Sequence, residues 1–328
     1  MENRALLHRS SSGLRSLFAR REATVAIIVV LLAIIVGATT HGIFFTPQNL
    51  QATFISLAGY GIMAVAMTFV LITGGIDLSV GSTYGLAAMT VAALTKYYSF
   101  NIWIAVILGL LFAVGLGAVN GFFVSKVKLA PMIATIGTMS VGRGLCYVIS
   151  NGSNLTPNNT TPAFRFLGSG IIGFIPMYFI IFIIIAVFAE ILLKRSVPVR
   201  KVFYTGSNET AAKLSGIKTP KIKFVTYLLG GLLCGIAGIL YISRFNTAAA
   251  SAGRGAEMKI IAACVIGGAS LTGGEGTVLG AVLGTFLMSF LDNAQVLWKI
   301  SVYYQDLISG LILLLAVSID AITHMRKR

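Results

Sequence analysis

Apolar residues in this chain fall in long unbroken runs, with neither the alternation of half-buried strands nor the narrow stripes of soluble helices. Runs of about 17–25 apolar residues are long enough to cross a bilayer as helices. Ten such segments are predicted, near 24–43, 51–73, 79–98, 102–124, 131–150, 171–193, 224–243, 257–270, 276–294 and 302–320. The eighth is short, which makes it tilted, broken or re-entrant. The first has an Arg-rich start and no small-residue cleavage site, so it reads as an uncleaved anchor.

Composition supports this reading. Of 328 residues, 56% are hydrophobic and 11% charged, and the mean hydropathy is +0.90. A soluble domain carries roughly 25% charged residues. The chain is therefore expected to be an all-α polytopic membrane protein, with a basic segment over 1–23, a membrane domain over 24–320 and a basic tail over 321–328. Cys146, Cys234 and Cys264 lie in apolar stretches at no metal-binding or CxxC spacing and read as small buried side chains. No H-E-x-x-H or G-x-S-x-G occurs, and no metal or cofactor is expected on this chain.

The net charge of +15 changes meaning once it is placed. With the N-terminus in the cytoplasm, 18 of the 25 basic residues fall inside. They are grouped before the first segment, at Lys126 and Lys128, between Lys194 and Lys223, and in the tail. That bias follows the positive-inside rule and puts both termini in the cytoplasm of a multi-pass protein of the cell membrane. The charge marks topology and contact with anionic lipid, not a nucleic-acid partner.

The glycines carry a repeat. Gly74-Gly75-Ile76-Asp77-Leu78-Ser79-Val80-Gly81 reads G-G-x-x-L-[ST]-x-G, and the string recurs from Gly267-Gly268 through Leu271-Thr272 to Gly274. Asn120 lies seventeen residues before Gly137, and Asn293 seventeen before Gly310, a weaker second match. Two related halves follow. Glycine pairs with polar residues at membrane depth interrupt helices, and matched interruptions in two halves point to a translocation region. Gly74, Gly75, Asp77, Ser79, Asn120, Arg143, Gly267, Gly268, Thr272 and Asn293 are the gate candidates. Asp77 or Ser79 equally suits a cap on the third helix, and Arg143 suits a structural ion pair. Gly109, Gly115, Gly117, Gly121, Gly276, Gly280 and Gly284 read as packing glycines.

The most informative loop runs from Lys194 to Lys223. Within it, residues 206–217 spell a short helix. Ser207 or Asn208 starts it, Glu209 and Lys213 pair at i,i+4, and Gly216 stops it. So short a helix does not hold alone in water. Ala211, Ala212 and Leu214 offer a small apolar face for a protein groove, with no Trp or Phe to favour the membrane.

Together with Thr135-Ile136-Gly137 and Arg143-Gly144, these motifs resemble the permease subunits of ribose-type ATP-binding cassette importers, over about 45–317. That group carries ribose, galactose, xylose or autoinducer-2. The resemblance implies a type II, vitamin-B12-importer-like membrane fold of about ten helices. It implies a permease pair, as homodimer or heterodimer, on two cytoplasmic ATPase subunits, with a periplasmic or lipid-tethered binding protein delivering solute. It also makes Gly206, Ser207, Asn208, Glu209, Ala211, Ala212, Leu214 and Gly216 the ATPase-coupling helix. No G-x-x-x-x-G-K-[ST] is present, so ATP hydrolysis is expected on a separate polypeptide and this chain is not itself an enzyme. No solute pocket is evident in the sequence. Broken helices also suit an ion-coupled secondary transporter, in which Asp77 would be the coupling carboxylate.

Overall fold

The computed structural model describes residues 21–301 and most positions from 303 to 318. The basic segment before Arg21 and the tail after 320 lie outside the described residues, and the tenth predicted segment is described only in part. Among the described residues the chain is mostly helical. In order come α1 (Arg21–Thr39), α2 (Pro47–Ile72), α3 (Val80–Tyr98), α4 (Ile102–Phe122, extended by a π turn over Phe123–Val127) and α5 (Pro131–Ser150). After α6 (Pro162–Ser169) a minimal hairpin pairs β1 (Ile171–Ile172) with β2 (Ile175–Pro176). Then follow α7 (Met177–Arg195), α8 (Val197–Ser207), α9 (Glu209–Leu214), α10 (Thr219–Phe245), α11 (Ala256–Ile266) and α12 (Val278–Leu297).

Seven described helices are long and apolar enough to cross a membrane: α1, α2, α4 with its π turn, α5, α7, α10 and α12. The other predicted spans differ for identifiable reasons. The third is α3, whose Ser82, Thr83, Thr90 and Thr95 keep it too polar to count. The eighth is α11, only eleven residues long. The sixth predicted span, 171–193, opens on the hairpin rather than on helix, because Gly173 turns the chain at φ +62° and Pro176 ends the strand.

Burial sets the layers. The membrane windows of α2 and α10 are 78% and 67% buried, against 22% for α1. Lipid is as apolar as leucine, so these helices are held by close packing rather than by hydrophobic exclusion. Small residues allow it: a side chain on Gly117 or Gly231 would strike the backbone of the other helix, which locks α4 onto α10. Gly109, Gly121, Gly280 and Gly284 sit in similar backbone contacts, whereas Gly115, predicted with them, faces open space. Around this centre, α1 turns Ile28, Val30, Leu31, Ile34 and Ile35 outward, as a lipid-facing helix does. The three cysteines are free and buried, and Cys264 reaches the Ala64 carbonyl of α2.

Candidate coupling and translocation site

The two halves of the glycine repeat meet each other, and they meet at α8. The Gly274 amide donates to the Ile72 carbonyl at 2.9 Å, joining the loop after α11 to the end of α2. Gly206, in the last turn of α8, presses on both: a Cβ there would overlap the Ile72 carbonyl oxygen and lie 2.7 Å from the Gly274 amide nitrogen. Gly273, at φ +88°, abuts Gly74. Three backbones thus touch where only glycine fits, at the residue preceding Ser207-Asn208 and α9.

Helix α9 is built as its sequence predicts. The Asn208 side chain accepts from the Ala211 amide at 2.9 Å, so Asn208 rather than Ser207 is the cap. Glu209 pairs with Lys213 at 2.8 Å and with Lys223 of α10 at 2.6 Å, and accepts from Thr219 at 3.1 Å. Gly216 ends the turn at φ +79°. Burial alone would raise the Glu209 carboxyl. Hydrogen bonds from Lys213 and Lys223, with the Lys223 charge and Thr219, outweigh it and hold the group at about 2. A depressed carboxyl contributes its stability above the ordinary range and loses it as pH falls through the folded value. The clamp is therefore expected to persist until the pH drops from about 4.5 towards about 2. In a Lys223→Gln variant the Glu209 titration, followed by carboxyl NMR, should move up towards 4.5.

The expected docking face needs one correction. Ala212 is 5% exposed and packs inward, whereas Leu214 is 86% exposed. The helix periodicity puts Ala211, Leu214 and Ser215 on the free side. Beside them lies a depression of about 350 Å³ lined by Tyr204, Asn208, Ala211 and Ile217.

Behind the junction, the first repeat is tied into a buried polar network. Asp77 Oδ1 accepts from the Ser79 amide at 2.8 Å and its hydroxyl at 2.6 Å, an Asx turn at the entry to α3. Ser79 occupies the N-cap position but makes no side-chain cap bond. Asn120 of α4 donates to Ser79 Oγ at 2.8 Å and accepts from Thr138 of α5 at 2.5 Å. Tyr227 of α10 donates to the Ile76 carbonyl at 3.1 Å. Four elements are so fixed around residues 76–79, and Asp77 is not open to solvent.

Toward the opposite end, the chain between α10 and α11 folds back among the helices. Arg143, midway along α5, donates through Nη1 to the carbonyls of Ala250 at 3.0 Å and Ala252 at 2.6 Å. Its partners are thus loop carbonyls, where the sequence suggested an ion pair. Gly81 and Gly85 of α3 receive the same loop by backbone contact at Gly253 and Ala252. This folded-back loop leads into the short α11. Where it turns, a cavity of about 410 Å³ opens among Tyr60, Tyr84, Tyr178, Tyr241, Ser56 and Ser251. Among the described residues no charged side chain lines it. Tyr178 is engaged by the Ala237 carbonyl, while the hydroxyls of Tyr60 and Tyr84 have no hydrogen-bond partner among the described residues. Nothing in the sequence signals this cavity, because its tyrosines come from four separate helices.

Comparison with known proteins fits this architecture. The family described as branched-chain amino acid transport system / permease component matches residues 49–317. The chain belongs to that family. It is 36% identical over 287 residues to the ribose import permease protein of Bacillus subtilis, covering 88% of this chain and 89% of that one. The ribose import permease protein of Escherichia coli strain K12 is 37% identical over 297 residues, covering 90% and 92%. The autoinducer 2 import system permease protein of Yersinia enterocolitica is 33% identical over 296 residues, covering 90% and 81%. No solved structure matches.

Within this multi-pass membrane permease, the predicted gate residues divide. Gly74, with the Thr272 carbonyl 3.6 Å from where its Cβ would sit, belongs to the junction. Gly75 abuts Tyr227, and Asp77, Ser79 and Asn120 form the buried network. Gly267 instead packs on Gly280 of α12, and Gly268 turns the chain at φ +98°. It is Gly273 and Gly274, later in the same string, that meet the first repeat. Asn293 forms a reciprocal amide pair with Asn49, joining α12 to the start of α2. Arg254 and Glu257, which their spacing would let pair, do not; Lys259 pairs with Asp292 at 2.9 Å.

Proposed function

We propose that this chain is the membrane subunit of an ATP-driven importer for a monosaccharide or a similar small neutral polar solute. The type II arrangement of about ten helices, with α9 and both termini in the cytoplasm of the inner membrane, belongs to the same reading. Cytoplasmic cassette ATPases grip α9. A second permease copy or paralogue completes the path, and a periplasmic or lipid-tethered binding protein loads it. The observation that carries the reading is the glycine junction. A push on α9 reaches Gly206, and through it the ends of both repeat loops, without passing through any flexible side chain. The names of the similar permeases, for ribose and autoinducer 2 import, agree in solute class. The uncharged tyrosine cavity agrees as well, since aromatic faces and free hydroxyls suit a polyhydroxylated ring.

Uptake of radiolabelled ribose into proteoliposomes tests this. The chain alone should give none, and the chain with its ATPase, binding protein and ATP should give saturable uptake. Uptake by the chain alone on an ion gradient would instead establish a secondary transporter.

A further inference from the structure

Beside α9 lies a second cavity, of about 520 Å³, whose lining changes character along its length. At one end stand Lys201 of α8 and Lys218 and Lys221 at the start of α10. All three are exposed. Among the described residues none of them pairs with a carboxylate, although Lys194, Lys213, Lys223 and Lys259 all do. At the other end the walls are apolar: Leu192 of α7, Val199 of α8, Val225 and Leu229 of α10, and a floor at Phe69 of α2.

One face of α10 makes the whole gradient. Lys218, Lys221, Val225 and Leu229 succeed one another at helical spacing, so charge gives way to hydrocarbon over roughly 16 Å of helix. The cavity opens sideways: Val225 is 47% exposed on a helix of membrane-spanning length. On α8, Val197 is exposed next to Pro198 and Val199, which line the same cavity, as on a helix lying in the headgroup plane. A soluble partner can meet the lysines, but it cannot follow the groove down to Phe69 and Leu229. A small anion would leave that apolar part empty.

We propose that this cavity holds one anionic phospholipid, its phosphate among Lys201, Lys218 and Lys221 and an acyl chain along Val225 and Leu229. The proposal rests on the reading above that α8 and α9 lie at a membrane surface. Gly216, the residue that ends the α9 turn, also lines the cavity, and Lys223, two residues beyond Lys221, grips Glu209. A lipid seated there braces the base of α9. Three unpaired lysines beside one phosphate select anionic over zwitterionic headgroups, by roughly fivefold for each lysine.

The test uses the purified full chain in neutral detergent without its ATPase, so the result is independent of how transport is powered. Native mass spectrometry would count adducts of dioleoyl phosphatidylglycerol, against dioleoyl phosphatidylcholine with the same tails. Phosphatidylglycerol should be retained in preference. Retention should fall on the order of a hundredfold in the triple variant K201Q/K218Q/K221Q, and also in Leu229→Trp, which fills the apolar end and leaves the charges. Thermal unfolding of the triple variant should match the parent, since its lysines are exposed. Equal retention of the two lipids overturns the proposal, as does displacement of the lipid by millimolar inorganic phosphate, which marks a free-anion site. Parent-like lipid binding by the triple variant overturns it too, and leaves the lysines as protein-docking contacts.

Discussion

Replacing Gly206 by alanine is expected to abolish uptake and to lower stability by about 2–4 kcal/mol. At an ordinary helical position the exchange would help, because alanine is favoured over glycine in a helix by about 1 kcal/mol. Here the added methyl overlaps the Ile72 carbonyl oxygen and approaches the Gly274 amide nitrogen. Neither is a side chain that can swing away. The hydrogen bond between them has to open, and α8 has to withdraw from both repeat loops. Gly115→Ala supplies the control: it too is helical, nothing lies within 4 Å of its Cβ position, and it should leave stability and uptake at the parent level or above. Thermal unfolding in detergent and ATP-driven uptake read the two effects separately. Parent-like uptake by Gly206→Ala would show that movement of α9 does not pass through this contact.

Much of this junction could be read from the chain. The recurring G-G-x-x-L-[ST] string shows that two loops share a construction, and glycine pairs beside polar residues show where helices stop. What the string does not tell is which of its glycines make the contact. Gly267-Gly268 align best with Gly74-Gly75, yet Gly267 packs on α12, and the touching residues are Gly273 and Gly274. That choice depends on how α11 ends and turns, which is tertiary. Helix α9 was legible almost residue by residue, since its cap, ion pair and stop are local devices. The face it buries was not, because periodicity gives a stripe without saying which side meets α8 and α10.

The membrane spans show a similar division. Unbroken apolar runs mark the lipid-facing helices plainly. They also place α3 and α11 close to their observed bounds, although α3 carries hydroxyls satisfied by its own backbone, as Thr90 and Thr95 are, and is too polar to count as a span by composition. Arg143 was visible as a charge in need of a partner. The carbonyls it found, more than a hundred residues further along, belong to a loop that the sequence shows only as small residues. The tyrosine cavity lies at the far end of that scale, since each ring taken singly looks like ordinary core.

The inward face of Ala212 makes two substitutions on one short helix behave oppositely. Leu214→Arg is expected to end ATP-driven uptake and to weaken ATPase retention in mild detergent on the order of a hundredfold, with thermal unfolding unchanged. An exposed leucine set into a partner's groove contributes roughly 1.5–3 kcal/mol on burial, and an arginine there adds a desolvated charge. Because Leu214 touches almost nothing within the chain, the fold has no stake in it. Ala212→Arg should lower the unfolding temperature as well, since it sets a long charged side chain at a position only 5% exposed. Loss of uptake in that variant therefore says nothing about docking. The informative pair is Leu214→Arg beside Lys213→Gln, which removes the more exposed of the two lysines holding Glu209 and leaves Lys223 in place. Exposed ion pairs of that kind are worth under about 1 kcal/mol, so the lysine change should cost little retention. Should Leu214→Arg keep the ATPase bound as tightly as the parent does, the lever lies elsewhere on this face of the protein, and α9 is merely a strut between α8 and α10.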